Sequence, residues 1–511
     1  MPGAWSDPGR GYGPAMAELH DLTALEQAAA IGSREVSSLE LVEHYLHRID
    51  HHHELGAFLT VTGDEARAAA AAADRAVQDR AARDGGATGL PPLHGVPIAI
   101  KDLTSTAGVR TTFGSAVYAD FVPEHDDDVV GFLRAAGTIS VGKTNVPEFG
   151  LPCYTENRLT RPAVTPHDTS RLAGGSSGGA AAAVAAGLLP FAHGTDGGGS
   201  IRIPASVCGL VGLKTSRGRV SRGPLGSDPL GLSVHGPLAR TAADAAALLD
   251  AMAVTVLSEP GFATDTGSGT FLSSTLKAAE DPNRNRRLRI GRTLDTPVPE
   301  ITVDPVVLRA YEATSELLSE LGHEVVDLSL PAPDGLMEAF LSCWAALTHG
   351  TPLPEGVEGL LMPLTVHLLE RGRSITGPQL IEDFATIQSA ARDLVRRTLP
   401  FDAVLTPALA MTPRPLDYFT GDGDPAADFA RQVSFTPWTA QANMTGQPAI
   451  NIPLQWTPDG LPIGMQFVGR PGDERTLLAL CAELELAQPW AGHRPPAWDR
   501  PEAAVRPVRG V

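Results

Sequence analysis

Two glycine-rich blocks bring serines close together in the chain. One is Gly174-Gly175-Ser176-Ser177-Gly178-Gly179. The other, beyond an alanine-rich stretch, is Gly194-Thr195-Asp196-Gly197-Gly198-Gly199-Ser200-Ile201-Arg202. Glycine clusters permit backbone angles that side chains forbid and let the main chain approach a ligand. Such loops either cradle phosphates or aim backbone N–H groups at a developing oxyanion. A Walker-type phosphate loop ends in Gly-Lys-Ser/Thr, and neither block has that lysine. The Gly-x-Gly-x-x-Gly dinucleotide fingerprint is missing too. A purely structural turn explains one such block better than it explains two, each presenting serine.

A serine nucleophile needs a base. The first block fits the Gly-x-Ser-x-Gly elbow around Ser176, but that elbow follows a buried apolar strand, and residues 165–171 are polar and turn-like. Its histidine partner is also hard to find: His323, His349, His367 and His493 lack a suggestive local context, and His193, though near Ser200, reads as structural. Lysine is the other choice, since Ser-Lys pairs are a known variant of the triad. Lys101 ends the apolar run 96–100. Burial there disfavours the charged form and lowers a lysine's pKa, and a neutral amine can accept a proton near pH 7. The competing role for Lys101 is an ion pair with a carboxylate such as Asp102.

The elements that must position these residues alternate between helix and strand, which indicates an α/β architecture. A capping box at Ser37-Ser38-Leu39-Glu40 opens a helix to about Asp50. Residues 65–82 and 127–136 read as helices, and an alanine-rich helix runs from the first glycine block to about Leu189. Thr241 and Asp244 are spaced as a capping pair for a helix over 242–252. Runs 96–100, 138–142, 288–292, 324–328, 403–406, 449–454 and 464–468 read as strands, with Lys143-Thr144-Asn145 starting a loop. The stretch 258–285, rich in Gly, Ser, Thr and Asp, reads as an exposed connection. The expected organisation is a loose segment 1–19, a single domain over 20–495 and a tail 496–511. Within the domain, residues 332–400 form a mostly helical, substrate-side segment.

Composition narrows the function. The 511 residues carry a net charge of −19, which repels phosphate backbones and anionic lipid, so neither nucleic acid nor membrane is an expected partner. Aromatics are only 5%, so small aliphatic side chains must do most of the packing. Cys153, Cys208, Cys343 and Cys481 form no C-x-x-C pair and read as buried free thiols. The first residues lack a basic start followed by an apolar core. The weakly polar run 178–192 is too short to span a bilayer and contains Pro190. A cytoplasmic protein is expected.

Taken together, these blocks resemble the amidase signature family. The resemblance includes residues 174–179, the run 194–205 and its continuation through Lys214-Thr215. Upstream it includes 95–102 and Gly142-Lys143-Thr144-Asn145, and downstream 443–453 and 460–469. It spans roughly residues 20–490 and implies an amidase signature fold, a large mixed twisted β-sheet flanked by helices on both faces. It also implies that Ser200 is the nucleophile, Ser176 a bridging serine held by a cis peptide, and Lys101 the base. Backbone N–H groups of Gly197, Gly198, Gly199 and Ser200 would form the oxyanion hole. Ser177, Asp196 and Arg202 would support them, with Asp196 and Arg202 pairing to brace the loop or forming a plain surface ion pair. No metal and no organic cofactor is required. Gly197 stands where relatives often have a bulky aliphatic residue, and Ala173 replaces a frequent proline, which bears on the pocket rather than the reaction. The C-terminal part looks most like the branch of cyclic nylon-oligomer hydrolases and similar xenobiotic amidases. The expected partner is a small-molecule amide or carbamate, and the expected state a monomer or homodimer. Two rival readings are the glutaminase subunit of a tRNA-dependent amidotransferase and a non-catalytic binding protein on the same fold.

Overall fold

The polypeptide was analysed as a computed structural model that describes residues 18–84, 89–226, 228–256, 268–280, 287–298 and 300–498. Its strands form two sheets. β1 (Phe58–Val61), β2 (Pro97–Lys101) and β3 (Ile139–Thr144) make a small sheet in the order β1-β3-β2, with β2 and β3 parallel. The large sheet contains β4 (Phe191–Asp196), β5 (Val211–Lys214), β6 (Val234–Ala239), β7 (Arg289–Arg292), β8 (Glu324–Asp327), β9 (Ala403–Pro407), β10 (Ala449–Trp456) and β11 (Pro462–Gly469). Its order is β4-β6-β5-β10-β11-β9-β7-β8. The sheet is mixed: β4 to β9 pair antiparallel along it, and β7 is parallel to both β9 and β8.

Helices cover both faces. On one, Leu477, Leu478 and Leu484 of the helix Glu474–Ala487 and Leu248 and Leu249 of the helix Ala242–Met252 pack over Leu213, Ile450, Ile452 and Phe467. On the other, the helices Gly178–Ala185 and Arg202–Cys208 are buried along their whole lengths. Small side chains are what this second layer admits. A Cβ on Gly179 would lie 2.4 Å from the Asn145 nitrogen, and one on Gly175 would lie 2.6 Å from the Tyr154 carbonyl oxygen. Segment 332–400 supplies the helices Leu336–His349, Pro363–Arg373 and Gly377–Thr398. Among the described residues no helix is long and apolar enough to cross a membrane.

Local signals set several boundaries. Ser37 accepts from the Glu40 N–H while Glu40 accepts from the Ser37 N–H at 2.8 Å, opening the helix Ser38–His51. Thr241 caps its helix, but the Asp244 carboxylate turns away to accept from the N–H groups of Ala24 and Leu25, at 3.0 and 3.1 Å, and so caps a different helix, Ala24–Ser33.

Three sequence expectations change. The alanine-rich helix stops at Ala185, short of Leu189. Gly187 turns left-handed there, and the Arg48 guanidinium takes the carbonyls of Ala186 and Gly187 at 3.0 and 2.9 Å. Lys143 and Thr144 finish β3 rather than opening a loop, because Lys143 is buried against polar groups. The stretch 258–285 is not all connection: Phe271–Glu280 is a helix that buries Phe271, Thr275 and Ala278, its N-terminus capped by the Asp250 carboxylate. The rest of that stretch, 258–267 and 281–285, lies outside the described residues. Most of the 1–19 segment and of the 496–511 tail lies outside them as well, although Ala497 and Trp498 are buried.

Candidate active site

The two sheets meet where β2 and β4 end. The Lys101 N–H donates to Nδ1 of His193, on β4, at 3.3 Å. That leaves the proton of neutral His193 on Nε2, which faces Nδ1 of His235 at 2.9 Å. Burial first, then Lys101 and Lys143, lowers the His193 pKa to about 3. Burial also pushes His235 well below its ordinary value. His193 is therefore a neutral scaffold residue, as its sequence context suggested, and both its ring nitrogens are engaged.

Lys101 itself is wholly buried. Its Nζ lies 2.8 Å from Ser176 Oγ and donates to the Thr195 carbonyl at 3.0 Å. Desolvation drives its pKa well below that of a free lysine, against a smaller opposing pull from Asp196. The carboxylate that sequence proximity offered, Asp102, is turned elsewhere. It accepts from the N–H and hydroxyl of Thr112 at 2.8 and 2.6 Å and sits 3.3 Å from Lys143 Nζ. Among the described residues no carboxylate forms an ion pair with Lys101.

The peptide bond between Gly175 and Ser176 is cis. Next to it, the Ser177 N–H holds the Ser200 carbonyl at 3.1 Å, and the Ser177 hydroxyl donates to the Thr195 carbonyl at 3.2 Å. Thr195 O thus gathers Lys101 and Ser177 on one acceptor. Ser176 and Ser200 line one cavity with Thr195 and Gly197. Among the described residues no hydrogen bond joins the two serine hydroxyls, so the structure brings Lys101 to Ser176 directly and Ser200 only to the same cavity.

The loop that carries Ser200 is fixed from beneath by the Asp196–Arg202 pair, which is fully buried rather than at the surface. The two Asp196 oxygens take the Arg202 Nε and Nη2 at 2.9 and 2.8 Å and also accept from the N–H groups of Gly199 and Ile201. The remaining Arg202 donors reach the Thr439 carbonyl, Gln466 Oε1 and Asn443 Oδ1 at 2.6–2.7 Å. All five guanidinium N–H groups are thereby satisfied. Burial alone would raise the Asp196 carboxyl, but Arg202, Lys214 and Asn443 together hold it well below the usual carboxylate range.

This bracing corrects the expected oxyanion hole. The Gly199 N–H is committed to Asp196 Oδ1 at 2.8 Å. Its φ of 134° is open to glycine, and a Cβ there would come within 2.5 Å of Thr439 Oγ1. Among the described residues, the N–H groups of Gly197, Gly198 and Ser200 bond to no protein acceptor. Three residues that sequence reading missed, Thr439, Asn443 and Gln466, hold the far side of the bracket. Asn443 and Gln466 lie in the two downstream blocks behind the family resemblance, and nothing local marked Thr439.

Residues 40–478 match the family model described as Amidase. AmiB2 of Mycobacterium tuberculosis is 38% identical over 487 residues, covering 92% of this chain and 97% of that protein. A glutamyl-tRNA(Gln) amidotransferase subunit of Synechococcus sp. is 35% identical over 498 residues, covering 91% of this chain and 96% of the relative. Among solved structures, a substrate complex of 6-aminohexanoate cyclic dimer hydrolase superposes with a TM-score of 0.83 at 30% identity, covering 94% of this chain and all of that one. The glycine-braced serine loop, the buried lysine and the cis-linked serine thus sit in a chain that belongs to the amidase signature family of amide-hydrolysing enzymes.

Proposed function

We propose that this chain is a stand-alone serine hydrolase that cleaves uncharged, fairly hydrophobic amides and anilides, and related carbamates and esters, through an acyl-enzyme on Ser200. The observation that carries the reading is the buried Lys101 amine, without a carboxylate partner among the described residues and 2.8 Å from Ser176 Oγ. Because Thr195 O must accept one Nζ hydrogen, the lone pair of the neutral amine is free to take the Ser176 proton.

Ser200 Oγ attacks the carbonyl carbon as its proton moves to Ser176 Oγ and the Ser176 proton moves to Lys101 Nζ. The step needs a bond between the two hydroxyls in the substrate complex, where such contacts commonly tighten. The Gly197, Gly198 and Ser200 amides receive the oxyanion, each such donor being worth about 3–4 kcal/mol. Collapse breaks the carbon–nitrogen bond, and the proton returns through Ser176 to the leaving nitrogen. Water then repeats the sequence on the ester. A carbamate offers the same electrophilic carbon. Four buried, unpaired cysteines are in keeping with a reducing, cytoplasmic setting.

The amidotransferase reading has a specific observation behind it, the 35% identity to the Synechococcus sp. protein. Against it stand the apolar surroundings of Ser200, with Ile203, Phe340, Trp344 and Phe429 around the cavity, which suit a hydrophobic acyl group better than the α-ammonium and α-carboxylate of glutamine. A panel of p-nitroanilides, carbamates, esters and glutamine, assayed on the purified chain, separates the two. We expect turnover of the apolar amides, lost in Ser200→Ala. Glutamine hydrolysis confined to mixtures with added partner proteins and charged tRNA would favour the rival. Activity above a few per cent in Ser200→Ala would move the nucleophile to Ser176.

A further inference from the structure

Ser200 lies where two cavities meet. The first is lined mainly by apolar side chains, among them Ile203, Met337, Phe429 and Val433. The second also holds Ser176 and Thr195 and runs out to Arg222, Asp228 and Thr351. With their mouths and adjoining open space included, they enclose about 590 and 780 Å³. Trp344 and Leu151 belong to both linings and form the wall between them.

The chemistry tells the two cavities apart. The leaving nitrogen must take its proton from Ser176, and of these two cavities Ser176 lines the second and not the first. The amine half of the substrate therefore occupies the cavity that ends at Arg222 and Asp228, and the acyl half occupies the apolar one.

Trp344 is held on the wall by the bare glycine loop. A Cβ at Gly197 would lie 3.5 and 3.6 Å from Cη2 and Cζ3 of the indole, and a Cβ at Gly198 would lie 3.8 Å from Cζ of Phe340. The two rings, one helical turn apart on the helix Leu336–His349, stack with centroids 5.7 Å apart. An alanine Cβ at 197 would thus just touch the indole, and a larger side chain would have to compete with it for space.

We propose that Trp344 is the specificity-determining residue of this site, packed against the bare Gly197 and dividing an apolar acyl cavity from a leaving-amine cavity of mixed lining that holds polar groups. The substrate class is then an uncharged amide that joins an apolar acyl group to an amine bearing a polar group. The inference rests on the acyl-transfer reading above.

The test compares kcat/KM across two panels: p-nitroanilides with acyl chains from acetyl to decanoyl, and hexanoyl amides of apolar, hydroxylated and carboxylated amines. Labelling of Ser200 by a fluorophosphonate, located by mass spectrometry, reports an intact site in every variant. Trp344→Ala should change the ratio of long to short acyl chains, and of apolar to polar amines, by about tenfold or more, the range a few methylenes command in an apolar pocket. Trp344→Phe should shift both ratios less. Gly197→Ile should lower turnover, and Trp344→Ala in that background should restore it by about tenfold, a coupling that separate structural defects would not show. Unchanged ratios in labelled Trp344→Ala, or additive losses in the double variant, would overturn the proposal while leaving amide hydrolysis standing. Wild-type protein that cleaves no member of either panel and leaves Ser200 unlabelled would overturn the acyl-transfer reading itself, and this inference with it.

Discussion

Replacing Arg202 with methionine probes the bracket that holds the nucleophile loop. The guanidinium is fully buried and has all five N–H groups engaged. Its loss leaves the Asp196 carboxylate buried beside an apolar side chain and strips a donor from Thr439 O, Gln466 Oε1 and Asn443 Oδ1. Breaking one side of a buried pair costs about 3–5 kcal/mol, a large share of the roughly 5–15 kcal/mol that holds a typical domain. Urea unfolding, read by linear extrapolation, measures it. Arg202→Lys keeps the charge without the planar fork, and we expect a loss of about half that size. The second effect reaches the base. Asp196 keeps the Gly199 and Ile201 N–H groups, Asn443 and nearby Lys214, and so stays ionised. With its guanidinium partner gone, its charge favours the Lys101 ammonium. Because the free amine is the active form, activity is present above the Lys101 pKa. The rising limb of kcat/KM should therefore move to higher pH in Arg202→Met and stay in place in Arg202→Lys. A methionine variant that loses less than about 1 kcal/mol, or that folds and keeps its acid limb in place, would refute the bracing argument.

Other consequences follow from the same geometry. Gly199→Ala puts a Cβ at φ 134° within 2.5–2.7 Å of Thr439 and Ile203, so the loop must shift and carry the neighbouring Gly198 and Ser200 donors with it; kcat should fall about 10²–10³-fold, the scale of one displaced oxyanion donor. Gly198→Ala, which meets only Phe340 at 3.8 Å, should lose far less, and equal losses would contradict the loop geometry. The buried histidines should weaken the fold in acid before ordinary carboxylates titrate. The pKa values of His20, His167 and His193 are lowered to about 3, 4 and 3, and burial also holds His235 well below its ordinary value, so below pH 6.5 the unfolded chain takes up protons at these sites that the folded chain refuses. Glu156 and Glu485, both raised to about 7 by burial, and Asp127, Asp244, Asp250 and Asp428, also raised by burial, act in the opposite sense. Between pH 6.5 and 4.5 the urea midpoint of the wild type should therefore fall relative to that of a His193→Gln variant, and parallel curves would contradict the neutral histidine pair.

Much of the site was legible because its signals are local. The run 96–100 ended in a lysine whose burial followed from the strand itself, and the glycine blocks announced loops in which backbone N–H groups could act. What stayed hidden depends on partners far along the chain. Whether Lys101 or Lys143 met Asp102 could not be read from adjacency, because β3 pairs with β2 and brings Lys143 alongside. β4 escaped notice because Phe191–Asp196 mixes glycine with polar residues, which are buried only because His193 finds His235 and Asp196 finds Arg202. Helix in 332–400 was evident, yet Phe340 and Trp344 sit at the one-turn spacing of any amphipathic helix. Nothing in that spacing says that they cover Gly198 and Gly197.

The central claim is that Lys101, acting through Ser176, takes the proton of Ser200. It is tested most directly by the rate at which a fluorophosphonate modifies the protein, with the adduct located by peptide mass spectrometry. Wild type should be labelled at Ser200 alone, and Lys101→Met and Ser176→Ala should each slow labelling by roughly 10³-fold or more, with no further loss when combined, since members of one relay are not additive. Labelling at Ser176, or a rate at Ser200 untouched by the loss of Lys101, would contradict the account.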